Sequence, residues 1–216
     1  PGELQEIIEI QFKHSQTYLN YKINYHPHQY VNDALIFEDD RVEVRTIVLN
    51  HRIPCCGFVF SEKQTTPSIT KDTIEHYDLS IEDIIAIKGG ANFMYQGKEI
   101  ENRKLVKKYK PRKYAYASDT CYDERIVPYI QGADLLYHEA TFLHDLLPRA
   151  KETFHTTALQ AGLIAQKAEV RMLMLGHFSA RYKDLNPLLE EAQQNFQNTI
   201  LALEGGSVIV PSVMFS

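Results

Sequence analysis

Five side chains able to hold a divalent cation or move a proton stand at the ends of β-forming runs. His51 follows VEVRTIVLN, Asp119 follows KYAYAS, His138 and Glu139 lie at the close of DLLYHEA, and His177 follows RMLMLG. Imidazole nitrogen and carboxylate oxygen together suit zinc, with manganese or iron as borderline alternatives. A site of that kind binds and activates water. One histidine at a strand end is more often a satisfied structural residue than a ligand. Four strand ends carrying such groups point to a shared site.

The elements that must position these groups follow from patterning. From Lys113 onward KYAYAS reads as a strand, ERIVPYIQG as a short helical segment and DLLYHEA as a strand. Thr156 or Thr157 caps a helix through Lys167, RMLML is a strand, Asn186 and Pro187 open a helix through Phe196, and TILAL is the last strand. This alternation predicts an α/β layer, whose ligands bind at the carboxyl edge of the strands. Upstream, Val42–Asn50 and Cys56–Glu62 are β-branched runs around Pro54, and Leu4, Ile7, Ile8 and Phe12 mark an amphipathic first helix. The runs at 18–25 and 33–38 read as strands or irregular edges. Residues 63–113 read as a polar, weakly periodic insert with one helix from Ser80 to Ile87, Ser80 its N-cap, and a Gly89-Gly90 break.

Composition bounds the possibilities. A chain of 216 residues, 44% hydrophobic and 24% charged, supports one domain with a substantial core and excludes disorder and fibres. No run approaches roughly 18 apolar residues, so a membrane span is not expected, and the N-terminus lacks signal-peptide order. Three cysteines cannot frame disulfides, which fits a reducing cytoplasm, and all three read as small buried residues. A net charge of -5 opposes a polyanionic partner unless a local patch reverses it. RKLVKKYKPRK, from Arg103 to Lys113, has seven basic residues and no acid. It can neutralise phosphates or be a solvated loop, and composition leaves both open.

Four strings carry a specific resemblance: SDT at Ser118–Thr120, HEATF at His138–Phe142, HTTA at His155–Ala158 and HFSARY at His177–Tyr182. They follow in the order and spacing of ribonuclease Z, of the metallo-β-lactamase superfamily, and HRIPCCGF at His51–Phe58 resembles that family's preceding histidine motif. The match runs from about Pro1 to Pro211 and is weakest between Lys63 and Lys113. The resemblance implies a single layered αβ/βα sandwich over residues 1–216, with 63–113 as an insert like the family's tRNA-binding arm, and self-association as a homodimer. It implies a metal-dependent endoribonuclease that removes the 3′ trailer of precursor tRNA and leaves a 3′-hydroxyl.

Residue by residue, the resemblance makes Asp119 the carboxylate bridging two zinc ions, His51 a ligand of one and His177 of the other. Two cations sharing a carboxylate lower the pKa of a bound water. His155 matches the general acid for the departing oxygen, with Glu139 placed to orient it. Arg181, Lys107, Lys108, Lys110 and Arg112 are candidates for phosphate contact, although Arg181 equally suits pairing with a surface acid. His155 as part of a helix N-terminus stays open. His138 reads as a packing residue below the site, and His14, His76 and His144 as solvent-facing.

The family's upstream H-x-H-x-D-H is not among these 216 residues, and His26-Pro27-His28 reads as a surface loop. The chain therefore reads as beginning in mid-domain, with weak or no cleavage expected of it alone. A small phosphodiester or sulfate ester hydrolase of the same superfamily, and a non-catalytic RNA-binding platform, are the competing expectations.

Overall fold

The computed structural model describes residues 2–27, 29–63 and 67–210. His28 of the His26-Pro27-His28 loop lies outside them. In chain order the elements are α1 (Glu3–Ser15), β1 (Leu35–Glu38), β2 (Val42–Leu49), β3 (Cys55–Glu62), α2 (Lys71–Tyr77), α3 (Ile81–Lys88), β4 (Phe93–Tyr95), β5 (Lys98–Ile100) and α4 (Asn102–Leu105). Then come β6 (Lys113–Ala117), α5 (Val127–Ile130), β7 (Leu135–Glu139), α6 (Leu147–Thr153), α7 (Ala158–Lys167), β8 (Leu173–Gly176), α8 (Asn186–Gln193) and β9 (Thr199–Leu201).

Seven strands form one sheet in the order β1-β2-β3-β6-β7-β8-β9. The pairs β1–β2, β2–β3 and β3–β6 are antiparallel; β6–β7, β7–β8 and β8–β9 are parallel. Two antiparallel steps return the chain to its starting direction, so β2 runs the same way as β6, β7 and β8. All four therefore end at one edge, and that edge receives His51, Asp119, Glu139 and His177.

The strand period of two sends Ile47, Leu49, Val59, Ala115, Ala117, Leu136, Leu173 and Leu175 to one face, where Ile126, Ile130, Ile164 and Leu188 from the helical segments complete the core. Phe58, Phe60, Tyr114, Tyr116 and Tyr137 take the opposite face, with Phe60 stacked on Tyr114 and Tyr116 on Tyr137. Small residues let α7 and α8 close on each other: a Cβ on Gly162 would stand 2.5 Å from the Ala192 carbonyl oxygen. Alanine gains about 1 kcal/mol of helix propensity there, but backbone cannot retreat as a side chain can, and overpacking costs about 1–3 kcal/mol. Gly162→Ala is therefore expected to lower stability in urea unfolding; an unchanged or higher midpoint would contradict this contact.

Several expectations are corrected. The insert is not merely polar: α2, α3, the β4–β5 hairpin and α4 enclose their own core of Leu79, Ile87 and Leu105, flanked by Ile69, Ile74, Ile84 and Phe93. Its neck is a pair of backbone hydrogen bonds between Ser68 and Lys107, at 3.0 and 2.7 Å. Ser80 does cap α3, through a reciprocal bond with Asp83. Asn186 lies inside α8 rather than capping it, because Asp184 accepts its backbone N–H, and the helix ends at Gln193. Cys55, Cys56 and Cys121 are free and half-buried, not buried. His144 is half-buried against the Thr157 hydroxyl, not solvent-facing. The first helix forms but buries none of its residues. Among the described residues no helix is long and apolar enough to cross a membrane.

Candidate metal centre

The loops beyond the aligned strand ends are cross-tied before any ligand is considered. Cys121 N–H donates to the Asn50 carbonyl, Asn50 N–H to the Thr120 hydroxyl, and the Thr156 hydroxyl to the Thr120 carbonyl. Thr157 caps α7 reciprocally with Gln160. Helix α6 ends with Phe154 in the left-handed region (φ 61°), which turns the chain so that His155 enters the site.

Asp119, Glu139, His155 and His177 bring one ligand atom each within 4.8 Å of one another. Asp119 Oδ1 lies 3.0 Å from His177 Nε2. The imidazole of His155 stands between His177 (5.2 Å between centroids) and His51 (5.4 Å). The structure thus gathers His51, Asp119, Glu139, His155 and His177 at one edge, with His51 on its rim.

Protein acceptors fix the rings. His51 Nδ1–H donates to the Phe154 carbonyl at 3.0 Å and His155 Nδ1–H to the two Glu139 oxygens at 3.1 Å, while His177 Nδ1 lies 2.9 Å from the Thr141 hydroxyl. With the proton on Nδ1, the lone pair of a neutral imidazole is on Nε2, the arrangement a metal-ligating histidine takes. Donors about 2.1 Å from one ion, at angles near 90–110°, stand about 3.0–3.4 Å apart. The Asp119–His177 separation fits that range, so the donor set suits a divalent cation.

Glu139 is buried, and burial alone would raise its pKa. Hydrogen bonds from His155, the Thr141 hydroxyl and the Thr120 and Thr156 N–H groups outweigh that and hold it below the usual carboxylate range. These four donors occupy the roughly four lone-pair sites of a carboxylate, so Glu139 serves as an anchor rather than an open ligand. In return the Glu139 bond raises the pKa of His155 against its burial, with Asp119 adding to the effect.

Other sequence candidates separate. Arg181 is exposed, its guanidinium 4.9 Å above the Phe142 ring and its Nε–H on the Ser179 hydroxyl, and among the described residues no acid pairs with it. Phe142 also meets the His155 ring edge-on at 6.2 Å. Lys107, Lys108 and Lys110 are exposed. Arg112 instead donates to the Glu62 carboxylate and the Val210 carbonyl, which withdraws most of its fork from the basic run. His138 is buried below the site, donating Nδ1–H to the Glu139 carbonyl. Sequence reasoning missed Thr141 and Phe154; only the phrase HEATF marks the first, and nothing local marks the second.

No protein-family model matches the chain. It is 43% identical to a ribonuclease Z of Phocaeicola vulgatus, over 98% of this chain and 69% of that protein. To a ribonuclease Z of Bacteroides thetaiotaomicron it is 47% identical, over 89% of this chain and 61% of that protein. The chain thus spans about two thirds of the length of these relatives. Among solved structures it resembles human tRNase Z, short form (TM-score 0.59, 22% identity, 98% of this chain and 66% of that one). It also resembles the metallo-β-lactamase fold protein YhfI of Bacillus subtilis (TM-score 0.55, 18% identity, 92% and 59%). These two likenesses establish the metallo-β-lactamase fold.

Proposed function

The chain belongs to the ribonuclease Z family, and from that membership we propose that its site hydrolyses precursor tRNA, removing the 3′ trailer and leaving a 3′-hydroxyl. The observation that carries the reading is the cluster of Asp119, Glu139, His155 and His177, one ligand atom of each within 4.8 Å of the others, with His51 beside His155. Asp119, His177 and His51 are the residues that would hold zinc, two ions in the complete site, with Asp119 shared. A divalent cation there supplies Lewis-acid charge stabilisation and activates water.

The remaining work falls to the chain's own groups. A water gives up a proton to solvent and its oxygen bonds to phosphorus as the bond to the 3′-oxygen breaks; His155 gives the departing 3′-oxygen its proton, and the phosphate stays on the trailer. Glu139 holds the ring through Nδ1 and raises its pKa, which favours the protonated form that an acid needs. Arg181, poised over Phe142, offers its planar fork to a phosphate. Lys107, Lys108 and Lys110 neutralise substrate phosphates at the foot of the insert, and recognition is by shape and backbone. Free cysteines fit a reducing cytoplasm, and the family resemblance suggests a homodimer.

The test uses protein expressed from the natural open reading frame, with precursor tRNA and a model phosphodiester compared as substrates. Precursor tRNA should be clearly preferred; better turnover of the small ester would sink the proposal. Replacing Lys107, Lys108 and Lys110 with alanine should raise KM for precursor tRNA and flatten its log–log salt dependence by about 2–3 units, at roughly 0.7–0.9 per phosphate contact. An unchanged salt slope would remove these lysines from the substrate path.

A further inference from the structure

One side chain joins the anchoring carboxylate to a candidate ligand. The Thr141 hydroxyl is 2.6 Å from Glu139 Oε2, 2.9 Å from His177 Nδ1 and 3.0 Å from the His177 carbonyl. A hydroxyl has one proton and two lone pairs. The ionised carboxylate is the closest and strongest acceptor, so the hydroxyl proton is directed to Glu139. The oxygen then accepts from His177 Nδ1–H, and Nε2 is the nitrogen turned toward Asp119, 3.0 Å away.

The backbone repeats this link. His177 sits in the left-handed region (φ 57°), an uncommon conformation for a residue with a Cβ that persists only where its surroundings hold it. The surroundings are the Thr141 segment: Ala140 N–H donates to the Gly176 carbonyl and Ser179 N–H to the Thr141 carbonyl, bracketing His177 on both sides. Thr141 itself is buried.

We propose that Thr141 is a positioning residue of the metal centre: its hydroxyl sets the tautomer and orientation of His177 and couples that ring to the Glu139–His155 pair. The inference rests on the metal-site reading above. Valine keeps the branched shape of threonine and removes the hydroxyl; serine keeps the hydroxyl and removes the methyl. A hydrogen bond that matters should survive the second change and not the first.

The experiment has two readouts, neither of them activity. Imidazole 15N spectra of the metal-free protein should show a hydrogen-bonded, exchange-protected His177 Nδ1–H in wild type and Thr141→Ser, and its loss in Thr141→Val. Zinc affinity, from competition with a chelator, should fall about 10–100-fold in Thr141→Val and change little in Thr141→Ser. Absence of the Nδ1–H signal in wild type, or a valine variant that matches wild type in both readouts, would overturn the assignment. If the valine variant does not fold, the wild-type spectrum and Thr141→Ala decide the same question. Failure of the wild-type protein to bind zinc would instead sink the metal-site reading, while the tautomer still reports whether Thr141 holds His177.

Discussion

Replacing Asp119 with alanine is expected to abolish precursor tRNA cleavage by the protein made from its natural reading frame, with a loss of about 10³-fold or more in kcat/KM. The size follows from the several kcal/mol of transition-state charge stabilisation a catalytic cation supplies, each 1.36 kcal/mol being tenfold in rate. Asp119 is half-exposed, so its removal leaves no buried hole and the fold should survive. Metal content by elemental analysis should fall together with activity, while the urea midpoint of metal-free protein stays close to wild type. A variant that keeps both its metal and its cleavage would remove Asp119 from the centre.

Glu139→Gln should act on the fold itself. The carboxylate is buried and accepts from two backbone N–H groups, a hydroxyl and an imidazole. An amide of the same shape keeps one acceptor oxygen and turns an NH2 toward the other donors. Each buried donor left without an acceptor costs about 1–3 kcal/mol, so a total of about 3–5 kcal/mol is expected, a large share of the 5–15 kcal/mol typical of a domain. The measurement is urea unfolding in the presence of a chelator, which separates this loss from any change in metal binding. A loss below about 1 kcal/mol would mean that Glu139 is not the knot that the four donors imply.

Much of the site was legible because strand ends are legible. Short apolar runs that close on Asp119, Glu139 and His177 locate three parallel strands, and parallel strands share a carboxyl edge. His51 joins them for a topological reason, the two antiparallel steps from β2 to β6. What stayed hidden depends on conformation or on distant partners. The carbonyl that holds His51 belongs to Phe154, over a hundred positions away, and reaches it only through a left-handed turn. Arg112 reads as one more cation in a basic run until Glu62 is brought beside it by the β3–β6 register.

Short elements hid for another reason. Helix α2 has only seven residues, too few for a clear helical period, so its apolar positions read as irregular. Helix α6 begins without a side-chain cap and carries its proline in the first turn, which a reader takes for a loop. Asn186 and Pro187 mislead in the opposite sense, since the N-cap is Leu185 and Asn186 is already the first helical residue, its backbone N–H held by Asp184.

The neck between Ser68 and Lys107 has a consequence for how such a protein changes over generations. Because the two ends of the insert already touch, residues can be gained or lost between them while the span to be bridged stays the same, and each doubling of that length adds only about 0.6 kcal/mol of closure cost. The appendage is thus free to drift in size and shape while the sheet edge that carries Asp119 and His177 keeps its geometry, so the two parts answer to separate selective pressures.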